Sequence, residues 1–346
     1  MATSADRPDY LLFVGVDIAA ATFTATWSQD VQSTPRPMTF KQTPAGFAAF
    51  QQQLHQTGIA PGATLIVMEA TGSYWITLAV TLHQAGYVMS VVNPAQVHDY
   101  VKSLPRKGKT DALDATYLTQ FAFERRPAPW TPPPAIYHEL RQRLAARDVL
   151  LEMRKLAYNH RHALQQWPIV VESVRTQLDE SIADLNRRMT QLEAELAALL
   201  QDGAWAESAR LVLSITGMGM LTTAWVLVTT LNFTIAPTPE SLAAYAGLAP
   251  LPRDSGSSVR GRRQIGHGGN RRLRTALYLA TLSAARHNPV IRTFYQRLCA
   301  AGKPKNVARC AAARKLLQLA WAVVKQQRPF APAYQAKLHA EPRAGA

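Results

Sequence analysis

The chain has 346 residues and a formal net charge of +15 at pH 7. Its length allows two or three domains with sizeable cores, and its two cysteines are too few for a disulfide framework, which favours a reducing compartment. The sequence does not open with a charged segment followed by an apolar stretch, and its most apolar run, residues 221–231, is too short to span a bilayer. We therefore expect a cytoplasmic protein that does not contact a membrane.

The positive charge is concentrated in residues 204–346, which contain 20 of the 38 basic residues but 4 of the 23 acidic ones. A fold does not require this asymmetry, whereas a polyanionic partner explains it. A merely solubilising basic surface is the alternative. The charge distribution favours nucleic acid as the partner.

Residues 1–134 are predicted to form an α/β domain. Apolar or alternating runs predict strands at 10–19, 21–27, 64–70 and 87–94. Helices are expected at 43–58, at 73–86 and from about Thr110 to Arg125. This order is typical of a mixed sheet covered by helices, and the proline-rich stretch 126–134 marks a domain boundary.

The remainder of the chain is predicted to be helical. Residues 135–203 include a glycine-free stretch in which apolar residues recur every 3 or 4 positions from Val171 to Leu199, as in a coiled coil or helical hairpin. An ordinary amphipathic helix packed on its own domain is the alternative. In residues 204–346 we expect helices at 241–250, from near Asn270 to 287 and at 306–327. The segment 214–228 resembles a helix-hairpin-helix turn, whose backbone N–H groups can face a phosphate.

Four acidic residues predict a metal site. Asp17 and Glu69 each end an apolar strand, where a carboxylate is rare unless it is paired. Asp111 and Asp114 are spaced to share one face of a helix. Four clustered carboxylates could hold Mg²⁺ and so support phosphoryl transfer. A helix cap for Asp111 and a solvated position for Asp114 are the alternatives.

The stretch LPRDSGSSVRGRR, residues 251–263, places serines and glycines among arginines. A serine hydroxyl is a weak nucleophile until it is activated, and neighbouring arginines can clamp a phosphate. Read alone, SGSS is also typical of a flexible linker. The residues expected to contact nucleic acid are Lys107, Lys109, Arg253, Arg260, Arg262, Arg263, Asn270, Arg271, Arg272 and Arg274.

The chain resembles the transposases of the insertion sequence 110 family, which are recombinases of bacterial mobile elements. The resemblance is carried by GVD at 15–17, MEATGSY at 68–74, KTDALDA at 109–115, ITGMG at 215–219, SGSSVRG at 255–261 and IGHGGNRRLRTAL at 265–277. It implies an RNase H-like (RuvC-like) domain over 1–134, a coiled-coil assembly region over 135–203 and a mainly helical transposase domain over 204–346.

The resemblance also implies the chemistry. The DEDD carboxylates that hold Mg²⁺ would be Asp17, Glu69, Asp111 and Asp114. Ser255 matches the catalytic serine of the family, and Ser257 and Ser258 remain alternatives. A structured non-coding bridge RNA would guide the protein to donor and target DNA. Dimers would assemble into a tetramer in which the serine of one subunit meets the acids of another.

We therefore expect a bacterial, nucleoid-associated DNA recombinase that works through a covalent phosphoserine. Two alternatives stay open at this point. One is a metal-only RNase H-like nuclease or junction resolvase, in which the serine loop merely binds DNA. The other is a nucleic-acid-binding regulator without chemistry, although such a protein has no need of acids in apolar strands.

Overall fold

A computed structural model describes residues 9–30, 36–104, 110–251, 254–255, 259–260, 264–266 and 268–332. The chain forms two compact units, Met1–Pro132 and Pro133–Ala346. Several residues predicted to act on nucleic acid lie outside the described residues: Lys107, Lys109, Arg253, Ser257, Ser258, Arg262 and Arg263.

The first unit contains a five-stranded mixed sheet. Its strands are β1 (Leu12–Ile18), β2 (Thr22–Ser28), β3 (Met38–Lys41), β4 (Thr64–Glu69) and β5 (Val88–Val92). The strand order is β3-β2-β1-β4-β5. Strand β1 runs antiparallel to β2 and parallel to β4, so it occupies the centre of the sheet. The predicted mixed α/β fold is confirmed, although the sequence pattern had not indicated β3.

In the described part of the first unit, four α-helices cover this sheet: α1 (Pro44–His55), α2 (Trp75–Gln84), α3 (Pro94–Ser103) and α4 (Asp111–Arg125). Alternate residues of β1 face opposite layers, as the period of an extended strand requires. Leu12, Val14 and Val16 belong to the core cluster that includes residues of α1 and α2. Phe13 belongs to the cluster that includes residues of α3 and α4. By the same period, Asp17 faces the α3 and α4 layer.

Helix α4 packs directly on the backbone of β1 at Gly15. The N–H of Gly15 donates to the Thr119 hydroxyl at 2.9 Å, and that hydroxyl lies 2.6 Å from the hydroxyl of Thr26. A Cβ on Gly15 would collide with backbone atoms of Ala115 and Thr119. The glycine two residues before Asp17 therefore fixes the distance between that carboxylate and α4.

We predict that Gly15→Ala destabilises the first unit by about 3 kcal/mol, because the added methyl group must displace α4 from the sheet. Thermal unfolding followed by circular dichroism measures this loss. Gly62→Ala is the matched control, since a Cβ there meets no atom within 4 Å. Equal melting temperatures for the two variants would contradict the close packing of α4 on β1.

The second unit begins with an antiparallel helical hairpin of α5 (Ala135–Leu164) and α6 (Glu172–Asp202). Arg143 donates to Glu195 at 2.8 Å, and Arg147 donates to Glu193 at 2.6 Å. The apolar seam predicted in α6 supplies buried residues to this hairpin, among them Ile182, Leu185, Met189 and Leu196. The apolar spacing was compatible with a coiled coil, a helical hairpin or an ordinary amphipathic helix, and the structure shows the helical hairpin.

Among the residues that the structure describes, six further helices share one core: α7 (Ala206–Leu213), α8 (Met220–Thr229), α9 (Pro239–Tyr245), α10 (Arg271–His287), α11 (Pro289–Ala300) and α12 (Lys305–Gln326). Helix α9 ends at Tyr245, earlier than the predicted 241–250, and α11 was not predicted. Gly217 has a φ of 101° and packs against Ala284 of α10. This glycine of the predicted G-x-G turn therefore serves helix packing. In the described part of the chain, no helix is long and apolar enough to cross a membrane.

Candidate active site

Asp17 and Glu69 lie next to each other at the carboxyl ends of two neighbouring strands. Strands β1 and β4 are parallel, and Val16 pairs with Met68, so the next residue on each strand is acidic. Both carboxylates are half-buried at the carboxyl ends of their strands. The hydroxyl of Thr71 donates to Oε1 of Glu69 at 2.8 Å and orients that carboxylate. The sheet thus brings together two acids that are far apart in the sequence.

Helix α4 adds the other two acids in its first turn. Thr110 caps the helix, because its hydroxyl accepts the N–H of Leu113 at 3.2 Å. Asp111 is therefore the first helical residue, and the interpretation of Asp111 as the cap is wrong. Asp114 lines the same cavity as Asp17 and Glu69, whereas the side chain of Asp111 is exposed.

The electrostatics of Asp17 show that the four acids interact. Burial raises the pKa of Asp17 to about 6, and the negative charges of Asp114, Asp111 and Glu69 add to this shift. The backbone N–H of Ile18 opposes it by favouring the ionised form. Like charges this close are unfavourable without a cation. The site therefore carries an excess of negative charge on a partly buried face of the sheet.

Asp17, Glu69 and Asp114 line an open cavity of about 670 Å³. Within the described residues, no three His, Cys, Asp or Glu side chains are arranged so that they could hold a metal ion as they stand. The N-terminal turn of α3 forms another wall through Pro94 and Ala95, and the exposed His98 lies one turn further along. A helix N-terminus favours anions, so acidic and anion-favouring groups face the same space.

Ser255 lies on a short two-stranded ladder in the second unit. Strands β7 (Asp254–Ser255) and β8 (Val259–Arg260) are antiparallel, and Ser255 pairs with Val259. This pair is nested in the chain between β6 (Pro250–Leu251) and β9 (Gln264–Ile265), which also pair. The backbone of Ser255 is therefore extended, and Ser255 is the last residue of β7.

The basic start of α10 is held by contacts within the second unit. Asn270 accepts the N–H of Leu273 at 3.0 Å and so caps the helix. Arg272 forms an ion pair of 2.6 Å with Asp148 and lies over the ring of Trp225. Arg274 donates to the carbonyl oxygen of Gly268 at 2.9 Å.

Arg271 was also expected to contact nucleic acid, and its exposed side chain makes no hydrogen bond or ion pair with the residues that the structure describes. The contacts made by Asn270, Arg272 and Arg274 explain their presence without nucleic acid. Any phosphate contacts of these three side chains remain a prediction.

Two family models match the chain. A DEDD transposase model of the IS110 type matches residues 14–167, and the model described as "Transposase IS116/IS110/IS902 family" matches residues 209–296. The pilin gene-inverting protein of Moraxella bovis is 30% identical over 320 residues, which is 92% of this chain and 97% of that protein. The chain belongs to the IS110 family of transposases.

Other similar proteins point to the same family. The pilin gene-inverting protein of Moraxella lacunata is 30% identical, again over 92% of this chain and 97% of that protein. An insertion element IS110 protein of Streptomyces coelicolor is 32% identical over 47% of this chain and 41% of its own length. IS110 transposases are enzymes of DNA recombination, so this chain is one and its substrate is DNA.

Sequence reasoning missed the residues that position the acids of this IS110 transposase. Gly15 and Thr119 hold α4 against β1, and Thr71 holds Glu69. The signal for Thr71 was present, since a hydroxyl two residues after an acid can reach its carboxylate. The contact of Gly15 with Thr119 joins residues that are distant in the chain, and no spacing rule could find it.

Proposed function

We propose that this transposase is a guide-RNA-dependent recombinase of a bacterial insertion sequence, which exchanges DNA strands through a phosphoserine on Ser255. The first unit would be its RNase H-like (RuvC-like) nuclease domain. The observation that carries the proposal is the convergence of Asp17, Glu69 and Asp114 around one open cavity, with Asp111 near enough for its charge to raise the pKa of Asp17. A regulator that merely binds DNA has no use for this concentration of charge.

The acidic site offers the carboxylate oxygens that Mg²⁺ prefers as ligands, and the charges of the other three acids add to the effect of burial in raising the pKa of Asp17. The residues that would hold the ion are Asp17, Glu69, Asp111 and Asp114. When bound, Mg²⁺ would neutralise charge on the scissile phosphate and on the departing oxygen. Thr71 and Gly15 would keep two of the four carboxylates in position.

In the proposed reaction, the hydroxyl oxygen of Ser255 attacks the phosphorus of a DNA phosphodiester. The Ser255 oxygen–phosphorus bond forms, the bond from phosphorus to the 3′ oxygen breaks, and the serine proton passes to that oxygen through water. The products are a phosphoserine on one strand end and a free 3′-hydroxyl on the other. Because the phosphoserine conserves the bond energy, a 3′-hydroxyl can attack it and rejoin strands without ATP.

The basic character of residues 204–346 supports binding of RNA and DNA. We propose that a structured non-coding bridge RNA selects donor and target DNA, and that the protein works at the bacterial nucleoid. Among the described side chains, the exposed Arg271 on α10 is the best candidate for a phosphate contact. Arg260 is a further candidate on β8.

The test combines purified protein, Mg²⁺, RNA transcribed from the non-coding end of the element, and labelled donor and target DNA. We expect recombinant DNA and, on a denaturing gel, a protein–DNA adduct that maps to Ser255. If the DNA were hydrolysed and no adduct formed, the result would contradict this proposal and indicate a metal-only nuclease. Binding without cleavage or exchange would replace it by a regulator.

Assembly into a tetramer is part of the proposal, and α5 offers a surface for it. Val149, Met153 and Leu156 are 59%, 52% and 60% exposed. Their spacing places them on one side of the helix, away from Arg147, which contacts α6. An exposed apolar face on a coiled-coil-like helix is typical of an interface between copies of a chain.

We predict that Met153→Glu combined with Leu156→Glu reduces the assembly to a smaller oligomer, because the charges would be buried in the interface. Light scattering after size-exclusion chromatography measures the mass. Ala183→Glu on the exposed side of α6 is the control and keeps the wild-type mass. An unchanged mass in the double variant would show that assembly uses another surface.

A further inference from the structure

A second cavity, of about 570 Å³, opens in the second unit and is named here the α12 pocket. One wall is apolar and consists of Leu248, Phe294 and the cross-strand pair of Pro250 and Ile265. The pocket therefore lies beside the β6 and β9 strands that flank the ladder of Ser255 in the chain. Its volume is within the range of about 300–1,000 Å³ typical of small-ligand sites.

The opposite wall is one face of α12. Asn306, Cys310, Arg314 and Gln318 follow one another at intervals of four residues, which places them on the same side of a helix. Lys315 also lines this wall, and no acidic residue is among the described residues that line the pocket. The pocket thus combines an apolar wall with a cationic one.

Arg314 offers a hydrogen-bond donor in this pocket. Its Nε atom is buried and has no hydrogen-bond partner among the described residues. A buried guanidinium donor without an acceptor is costly, and a phosphate or a base carbonyl group would satisfy it. Burial, and then the positive charge of Arg297, lower the pKa of Lys315. Both effects disfavour the positive charge of Lys315, and an anion bound beside it would stabilise that charge.

The aromatic ring in the pocket lies among cations. Lys315 Nζ lies 5.0 Å from the centroid of the Phe294 ring, and the guanidinium carbon of Arg297 lies 5.4 Å from it. Aromatic rings and cations together bind unstacked bases in proteins that recognise single strands. An acidic peptide would satisfy the charges, but it would leave the apolar wall without a planar partner.

From these observations we infer that the α12 pocket binds one unpaired nucleotide of the nucleic acid held by the transposase. The base lies against Leu248, Ile265 and Phe294, and the phosphate lies against Arg314 and Lys315. Extruded nucleotides occupy such pockets when proteins read or process a strand outside its duplex. Strand exchange and a folded guide RNA both provide unpaired nucleotides, so this inference rests on the proposed function.

The test uses the full-length protein and four dye-labelled probes: a short DNA duplex, the same duplex with a single bulged 2-aminopurine, and the RNA versions of both. Anisotropy of the dye gives affinity, and 2-aminopurine emission reports the environment of the bulged base. We expect a bulged probe to bind about tenfold more tightly than its paired counterpart, as one stacked base allows. The preferred bulge, RNA or DNA, identifies which nucleic acid supplies the nucleotide.

Arg314→Gln and Val307→Glu should each abolish the preference for the bulge and the change in 2-aminopurine emission. Val307 is 49% exposed at the pocket, so its substitution leaves the core intact while placing a negative charge near the phosphate. Lys325→Gln, on the exposed last turn of α12, is the charge-matched control and keeps the preference.

Two results would overturn the inference in distinguishable ways. Equal affinity of the wild-type protein for bulged and paired probes would remove the nucleotide site and leave the proposed recombinase intact. If the protein bound none of the probes, both the nucleotide site and the proposed function would be contradicted. A preference for the bulge that survives Arg314→Gln and Val307→Glu would place the unpaired nucleotide elsewhere on the protein.

Discussion

The Ser255→Ala variant should bind donor and target DNA with wild-type affinity and form no covalent adduct with either. Without the hydroxyl, no atom of the side chain can attack phosphorus, and strand exchange should fall by about 10⁴-fold or more, as it does when other nucleophiles are removed. The backbone of Ser255 is extended and paired with Val259. Alanine is compatible with this backbone, so we expect the loss to be chemical and not structural.

The neighbouring serines supply matched controls for this experiment. Ser257→Ala and Ser258→Ala remove the same hydroxyl group within a few residues of Ser255. Both variants should keep the adduct, which is measured on a denaturing gel after incubation with nicked donor DNA. An adduct that persists in Ser255→Ala and disappears in one of the other two variants would transfer the nucleophile to that residue.

The fold of the first unit was accessible from its sequence where apolar periodicity and helix caps were clear. Two of the helices that the pattern missed, α3 in the first unit and α11 in the second, begin in the same way. Asn93 precedes Pro94 and Asn288 precedes Pro289, and in each case the asparagine side chain caps the helix that proline starts. Pro94 had been interpreted as the end of a strand, although proline is also favourable in the first turn of a helix.

The candidate site was accessible only in part. An acid in an apolar strand is anomalous in the sequence itself, and strand pairing then places Asp17 beside Glu69. The basic residues show the limit of such reasoning. Arg272 and Arg274 are predicted to contact phosphate, and the spacing does not identify their partners within the chain, Asp148 and the Gly268 carbonyl oxygen. Residue type predicts which chemistry is possible, whereas packing decides which side chains are engaged.

The Asp17→Asn variant should lose DNA strand exchange by on the order of 10³-fold or more, because in the proposed magnesium site an amide cannot replace a charged oxygen ligand. At the same time the variant should unfold at a higher temperature than the wild-type protein when no divalent cation is present. Burial and neighbouring acids raise the pKa of Asp17 to about 6. Removing this charge should therefore raise the stability of the folded protein while it prevents strand exchange.

The direction of the stability change follows from the raised pKa of Asp17. The folded protein holds this proton more tightly than the unfolded chain, so ionisation of Asp17 destabilises the fold as the pH rises from about 4 to about 6. At pH 7 the full effect is present, and solvent screening of the half-exposed carboxylate limits it to about 1 kcal/mol.

Differential scanning calorimetry at pH 7 with EDTA should show a gain of about 2–4 °C for Asp17→Asn. Asp99→Asn, which changes an exposed acid of α3 that does not line the cavity of Asp17, should keep both the activity and the melting temperature. A lower melting temperature for Asp17→Asn would mean that Asp17 stabilises the sheet, and the loss of activity could then no longer be assigned to a metal ligand.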